Sequence, residues 1–275
     1  MNNHDDRPIG VFDSGLGGLT AVTHMADIMP DESFIYFGDT ARTPYGSKSI
    51  ETIERFSAQI SDFLVENGAK IIVIACNTVS ATCLEFLRER HPNIPIIGMI
   101  VPAAKKIAFE YGNDTRVGII GTKVTVNSKQ YEKKIKELGG QSSVFSKACP
   151  LFVPMIEEGI TDWEVVKPVI RHYLDEFISK NEIDTLVLGC THYPLIKREI
   201  GWIYKDLKIL NPSEIVAEEV KKYLEENQMT VSKAAERSCF YASDMSDAFL
   251  QMIKKILGNR DIEVKYKNFS EIRTL

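Results

Sequence analysis

Two segments hold the residues best suited to chemistry. In Ile71-Ile72-Val73-Ile74-Ala75-Cys76-Asn77-Thr78 and in Thr185-Leu186-Val187-Leu188-Gly189-Cys190-Thr191-His192, an apolar run ends in a small residue, a cysteine and polar residues. A continuous β-branched run of this length reads as a strand buried on both faces of a parallel sheet, so each cysteine falls at its strand's carboxyl end. Ligands of open α/β sheets bind at that edge. Asn77-Thr78 and Thr191-His192 would then open helices whose N-terminal positive charge favours thiolate over thiol. A single buried cysteine usually behaves as a small hydrophobe. Two in the same strand-end context, each followed by hydrogen-bonding residues, read as a reactive pair. Cys83, Cys149 and Cys239 lack that context and read as core.

A second constellation is Asp13-Ser14-Gly15-Leu16-Gly17-Gly18, at the end of the first apolar run. With Asp39 further on, it imitates a dinucleotide-binding fingerprint, but Thr20 stands where the third glycine belongs. Asp13 would also meet the pyrophosphate with a carboxylate. The better reading is a nest of backbone amides for a carboxylate ligand, with Ser14 adding a hydroxyl and Asp13 facing a cation; a zwitterion would suit it. The loop Gly38-Asp39-Thr40-Ala41-Arg42-Thr43-Pro44-Tyr45-Gly46 runs to the same edge and reads as a ligand-binding loop. Composition alone leaves Tyr45 open between a site residue and a turn aromatic. Cys190 and His192 could begin a zinc site, but no further Cys/His pair has ligand spacing, so no metal is expected. A cysteine hydrolase dyad, Cys76 with Asp13 or Cys190 with His192, would leave the second thiol unexplained.

The elements that must position these residues alternate between short apolar runs and helical patterns, the mark of βαβ units and a mainly parallel sheet. Strands are expected at 9–12, 34–37, 71–75, 96–99, 117–120, 143–145, 185–188, 208–210 and 239–241. One helical stripe joins Ile50, Ile53, Phe56, Ile60 and Phe63-Leu64; another joins Val165-Val166, Val169-Ile170, Tyr173-Leu174 and Phe177-Ile178. Boundaries are expected at Ile100-Val101-Pro102 and Leu210-Asn211-Pro212. They give a split domain, 1–100 plus 211–275, with a second domain, 101–210, inserted.

Composition narrows the partners. The 275 residues carry a net charge of −5 without a basic block, which argues against nucleic acid and for a small-molecule substrate. Five cysteines in no regular pattern argue against a disulfide framework and for a reducing compartment. A polar start that meets a strand at once, and no apolar run of bilayer length, give the expectation of a cytoplasmic protein without a membrane partner.

Taken together, Asp13-Ser14-Gly15-Leu16-Gly17-Gly18, Pro44-Tyr45-Gly46, Ala75-Cys76-Asn77-Thr78, Pro150-Leu151-Phe152-Val153-Pro154 leading to Glu157-Glu158-Gly159, and Gly189-Cys190-Thr191-His192-Tyr193-Pro194-Leu195 resemble the glutamate racemases of the cofactor-independent aspartate/glutamate racemase superfamily. The resemblance spans almost the whole chain. It implies two similar doubly wound α/β domains with mainly parallel sheets and an active site in the cleft between them. It implies two-base racemisation of glutamate without a cofactor, supplying D-glutamate for peptidoglycan, in a homodimer. Cys76 would take the α-proton of D-glutamate and Cys190 that of L-glutamate. Asp13 would poise Cys76, and Glu157 with His192 would poise Cys190, Glu158 being the alternative to Glu157. Asp13, Ser14, Tyr45, Gly46, Asn77, Thr78, Thr191 and His192 would bind the substrate. Two rivals are an aspartate racemase of the same superfamily and a two-lobed protein that binds a small acid without chemistry.

Overall fold

The computed structural model describes residues 4–160, 162–233, 238–245, 250–251, 253–254 and 264–269. Its strands are β1 (Ile9–Asp13), β2 (Phe34–Gly38), β3 (Ile71–Ile74), β4 (Ile96–Gly98), β5 (Arg116–Gly121), β6 (Ser143–Ala148), β7 (Thr185–Gly189), β8 (Lys208–Leu210), β9 (Cys239–Ala242) and β10 (Val264–Tyr266). They form two sheets, ordered β10-β9-β2-β1-β3-β4 and β6-β5-β7-β8. Every pairing is parallel. Residues of β1, β3 and β7 are buried throughout, as strands covered by helices on both faces must be.

The two sheets share an internal plan. In each, the first strand has the second on one side and the third and fourth on the other: β2-β1-β3-β4 and β6-β5-β7-β8. The order therefore reverses beside β1 and beside β5, and such reversals open the crevices in which α/β sheets bind ligands. Cys76 follows the third strand of one sheet and Cys190 the third strand of the other. The repeated sequence pattern thus corresponds to a repeated place in the fold.

All nine expected strands are present, and the exceptions have local causes. β6 runs on to Ala148 because it is an edge strand, where exposed Lys147 carries no apolar signal. β10 is short and half polar, Val264-Lys265-Tyr266, and gives no pattern to read. The helix Ile50–Glu66 starts on Ser49, whose side chain accepts the Thr52 amide, and buries Ile53, Ile60 and Leu64. Ile50 and Val165, both assigned to core stripes from sequence, lie exposed on first turns. In the helix Trp163–Asn181 the adjacent Val166 takes the inward position instead, followed by Ile170, Leu174 and Phe177.

At the edge away from the cysteines, just before β3, Lys70 is fully buried. Its Nζ donates to Glu32 Oε2 at 2.7 Å, to the Asp5 carbonyl at 2.8 Å and to the Met229 carbonyl at 2.7 Å. Glu32 Oε1 in turn accepts the Val231 amide at 3.2 Å. One ion pair therefore ties the chain's start, the turn before β2 and the segment after the helix Pro212–Glu226.

Candidate active site

The carboxyl ends of β1 and β3 in one sheet, and of β5 and β7 in the other, converge on one cavity. Its lining includes Ser14, Tyr45, Gly46, Cys76, Asn77, Thr78, Thr122, Cys190, Thr191 and His192. Both cysteines are free and buried. The cavity is closed down to about 10 Å³, enough for roughly one water.

Cys76 is the N-cap of the helix Asn77–Thr82, as its position predicts, and its Sγ donates to Ser14 Oγ at 3.6 Å. The expected depression of its pKa is overturned. Burial, reinforced by the Asp13 carboxylate, pushes the thiol up to about 12, more than the short helix and the Ser14 hydroxyl recover. Cys190 is not followed by an α-helix at once. Thr191 and His192 lead into a 3₁₀ turn, Tyr193–Ile196, with Pro194 near its start. What faces Cys190 is a side chain: His192 Nδ1 lies 3.8 Å from its Sγ.

Behind His192, Nε2 lies 2.9 Å from Glu157 Oε1. Glu157 ends the helix Phe152–Glu157, whereas Glu158 follows it and is exposed. Of the two candidates, Glu157 is the one brought to the site. Burial lowers the pKa of His192, but the bonds to Cys190 and Glu157 outweigh it and raise the imidazole well above its ordinary value. Because the folded value is raised, this histidine stabilises the fold fully below the unfolded value near 6.5, and the contribution is lost as pH rises through the folded value. Glu157→Gln removes a charge that holds the proton and so brings the folded value back toward 6.5: the loss of stability with rising pH should be smaller, and complete at lower pH, than in the parent. The same variant should turn over about 10- to 100-fold more slowly, the worth of one hydrogen bond to a charged group at ~1.5–3 kcal/mol. Thermal melts across pH 6–10 and initial rates check both, with Glu158→Gln as the unaffected control.

Asp13 is fully buried, and burial raises its pKa against the opposing pull of His192 and the Gly18 and Gly15 amides. Its Oδ2 accepts Gly18 N at 3.0 Å and Gly15 N at 3.3 Å, and its Oδ1 accepts Thr191 Oγ1 at 3.3 Å. The expected amide nest therefore exists, but these two of its amides hold the chain's own carboxylate. Gly17 permits the lobes to meet: a Cβ there would stand 2.6 Å from Thr191 Oγ1 and 2.9 Å from the His192 amide nitrogen. Gly46 plays the same part in the loop after β2, since its Cβ would stand 2.4 Å from that of Thr122.

Tyr45 is buried, and its hydroxyl donates to Asp39, which also holds Arg42 and Ser243. It reaches the cavity as an anchored ring. Thr78 Oγ1 lies 3.0 Å from Thr122 Oγ1. Asn77 Oδ1 accepts the Tyr131 hydroxyl at 2.7 Å, while Asn77 Nδ2 is buried with no partner. A buried donor left open beside a cavity is the group a carboxylate ligand would satisfy.

Every residue of the expected site, with Glu157 and not Glu158, thus lies at this cavity or bonds to a residue that does. Thr122 and Tyr131 escaped the sequence reading. Thr122 directly follows β5, the strand corresponding to β1, and caps the next helix. Comparing the two repeats strand by strand would have marked it. Tyr131 sits within the short helix Gln130–Glu137 and carries no motif.

The model of the family described as Asp/Glu/Hydantoin racemase matches residues 19–220. The chain is 41% identical to the glutamate racemase of Aquifex aeolicus, over 97% of this chain and 99% of the relative. It is 43% identical to the glutamate racemase of Geobacter metallireducens, over 92% and 94%. Among solved structures, that of glutamate racemase from Francisella tularensis subsp. tularensis SCHU S4 in complex with D-glutamate is similar at a TM-score of 0.89. Its identity is 38%, covering 96% of this chain and 98% of that one.

Proposed function

The chain belongs to the Asp/Glu/Hydantoin racemase family, and from that premise we propose that it interconverts L- and D-glutamate by a two-base mechanism in which Cys76 and Cys190 serve opposite faces of the α-carbon. The observation that carries the reading is that two cysteines, each following the third strand of its own sheet, line a single cavity. One thiolate takes the α-proton while the opposing thiol delivers another, so the two must flank the substrate. The names of the relatives supply glutamate as the substrate.

With L-glutamate, Cys190 is the base and Cys76 the acid. A thiol held near 12 is protonated at neutral pH and ready to donate. The raised imidazole of His192 carries a positive charge 3.8 Å from Cys190 Sγ. With D-glutamate the roles exchange, and the proton that Cys76 must first shed passes to Asp13, the carboxylate that faces it and whose own pKa burial raises. No conjugated cofactor spreads the charge of the carbanion in this mechanism, so hydrogen-bond donors must meet it at the α-carboxylate. Ser14, Thr78 and Thr191 line the cavity for that purpose, where low effective dielectric strengthens them. Since the closed cavity is smaller than glutamate, the substrate enters as the sheets part and is sealed from water as they close. The units that part are 1–100 with 211–275, and 101–210.

The product serves as D-glutamate for peptidoglycan in the cytoplasm, and the working form is a homodimer. Incubation of dialysed, chelator-treated protein with L-glutamate and, separately, L-aspartate tests the proposal by optical rotation. Glutamate should decay to zero rotation and aspartate should persist. Loss of aspartate rotation alone would make the chain an aspartate racemase, and binding without any loss would make it a two-lobed binder.

A further inference from the structure

Tyr131 lies outside every motif, yet it touches both halves of the site. It sits on the helix Gln130–Glu137, in the part of the chain that carries β5 to β8, and is 2% exposed. Its hydroxyl crosses to Asn77, directly after Cys76, and donates to Oδ1 at 2.7 Å. Its ring packs on Gly189, directly before Cys190: a Cβ there would stand 3.5 Å from Tyr131 Cε2. The far side of the Asn77 amide, Nδ2, is buried and has no partner.

An asparagine amide presents an oxygen on one side and an NH₂ on the other, and turning it over exchanges donor for acceptor. A partner that donates to Oδ1 decides which way it faces. We infer that Tyr131 is a positioning residue that locks the Asn77 amide with Nδ2 toward the cavity, as a donor for a carboxylate of the bound amino acid. Without that lock the oxygen could face the carboxylate and repel it. Because the bond joins the lobe that bears Cys190 to the residue after Cys76, the donor is set when the lobes close. The inference rests on the reading of the cavity as a glutamate site.

The test is a double-mutant cycle on glutamate kinetics. Tyr131→Phe keeps the ring on Gly189 and removes only the hydroxyl. It should raise KM about tenfold, as expected for one lost hydrogen bond to a charged group, and change kcat by less than about threefold. Placed in an Asn77→Ala background, the same change should have no further effect on KM, because its target is gone. A purely structural tyrosine would give equal effects in both backgrounds. An unchanged KM in Tyr131→Phe, or an effect that persists without Asn77, overturns the inference. Should Tyr131→Phe fail to fold, the side-chain amide resonances of Asn77 in the unaltered protein decide: they must shift when D-glutamate is added, and their indifference overturns it. If the unaltered protein neither racemises nor binds glutamate, it is the proposed function that fails.

Discussion

Cys76→Ser and Cys190→Ser should each lose about 10²- to 10⁴-fold in turnover, the range carried by a positioned acid or base, while binding glutamate within a few-fold of the parent. Serine fills nearly the same space, so the cavity and its carboxylate donors remain. Its hydroxyl is much less acidic than a thiol, so it cannot serve as the base at neutral pH. The two variants should also differ in kind. With L-glutamate, Cys190→Ser lacks the base, whereas Cys76→Ser keeps the base and lacks the efficient acid. Cys76→Ser should therefore still exchange the α-proton of L-glutamate with solvent faster than it forms D-glutamate, and Cys190→Ser should not. Calorimetric affinity, racemisation rate and α-proton exchange, measured on both variants, check the three statements.

Lys70→Ala should cost about 3–5 kcal/mol of folding free energy, the penalty for breaking a buried ion pair by removing one partner. Lys70 and Glu32 are 0% and 5% exposed, so the remaining carboxylate would have no solvent to turn to. Two backbone carbonyls, of Asp5 and Met229, would lose their donor as well. The pair lies just before β3, at the opposite edge of the sheet from Cys76, so KM for glutamate should change little. Urea unfolding and steady-state kinetics on the same preparation separate the two effects. A loss below 1 kcal/mol would mean that water reaches Glu32 in solution.

The strands were legible because buried parallel strands are written as unbroken β-branched runs, and β1, β3 and β7 are fully buried. The duplicated cysteine motif marked two equivalent strand ends, and β3 and β7 do occupy the same place in their sheets. What sequence missed is what depends on a partner brought from far away. The helix after Cys76 pointed to a low thiol pKa, but it is only a turn and a half long, and complete burial beside Asp13 dominates. The glycine nest was read as a ligand site, while in space Asp13 turns back to accept two of its amides. Tyr131 meets Asn77 across 54 positions, and no local pattern announces such a contact. Glu157 and Glu158 are equal in sequence; only the turn of the helix Phe152–Glu157 directs one of them to His192.

The central claim, two bases on opposite faces, is tested most directly by starting L-glutamate in D₂O and stopping at a few per cent conversion. Mass analysis of the separated enantiomers then shows where deuterium has gone. If Cys190 removes the proton and Cys76 delivers a different one, nearly all D-glutamate carries α-deuterium while the remaining L-glutamate stays protiated. With D-glutamate as the start, the pattern should mirror itself. D-glutamate that keeps the substrate's own proton, or L-glutamate that gains deuterium as fast as product forms, would place a single base at the α-carbon and contradict the account.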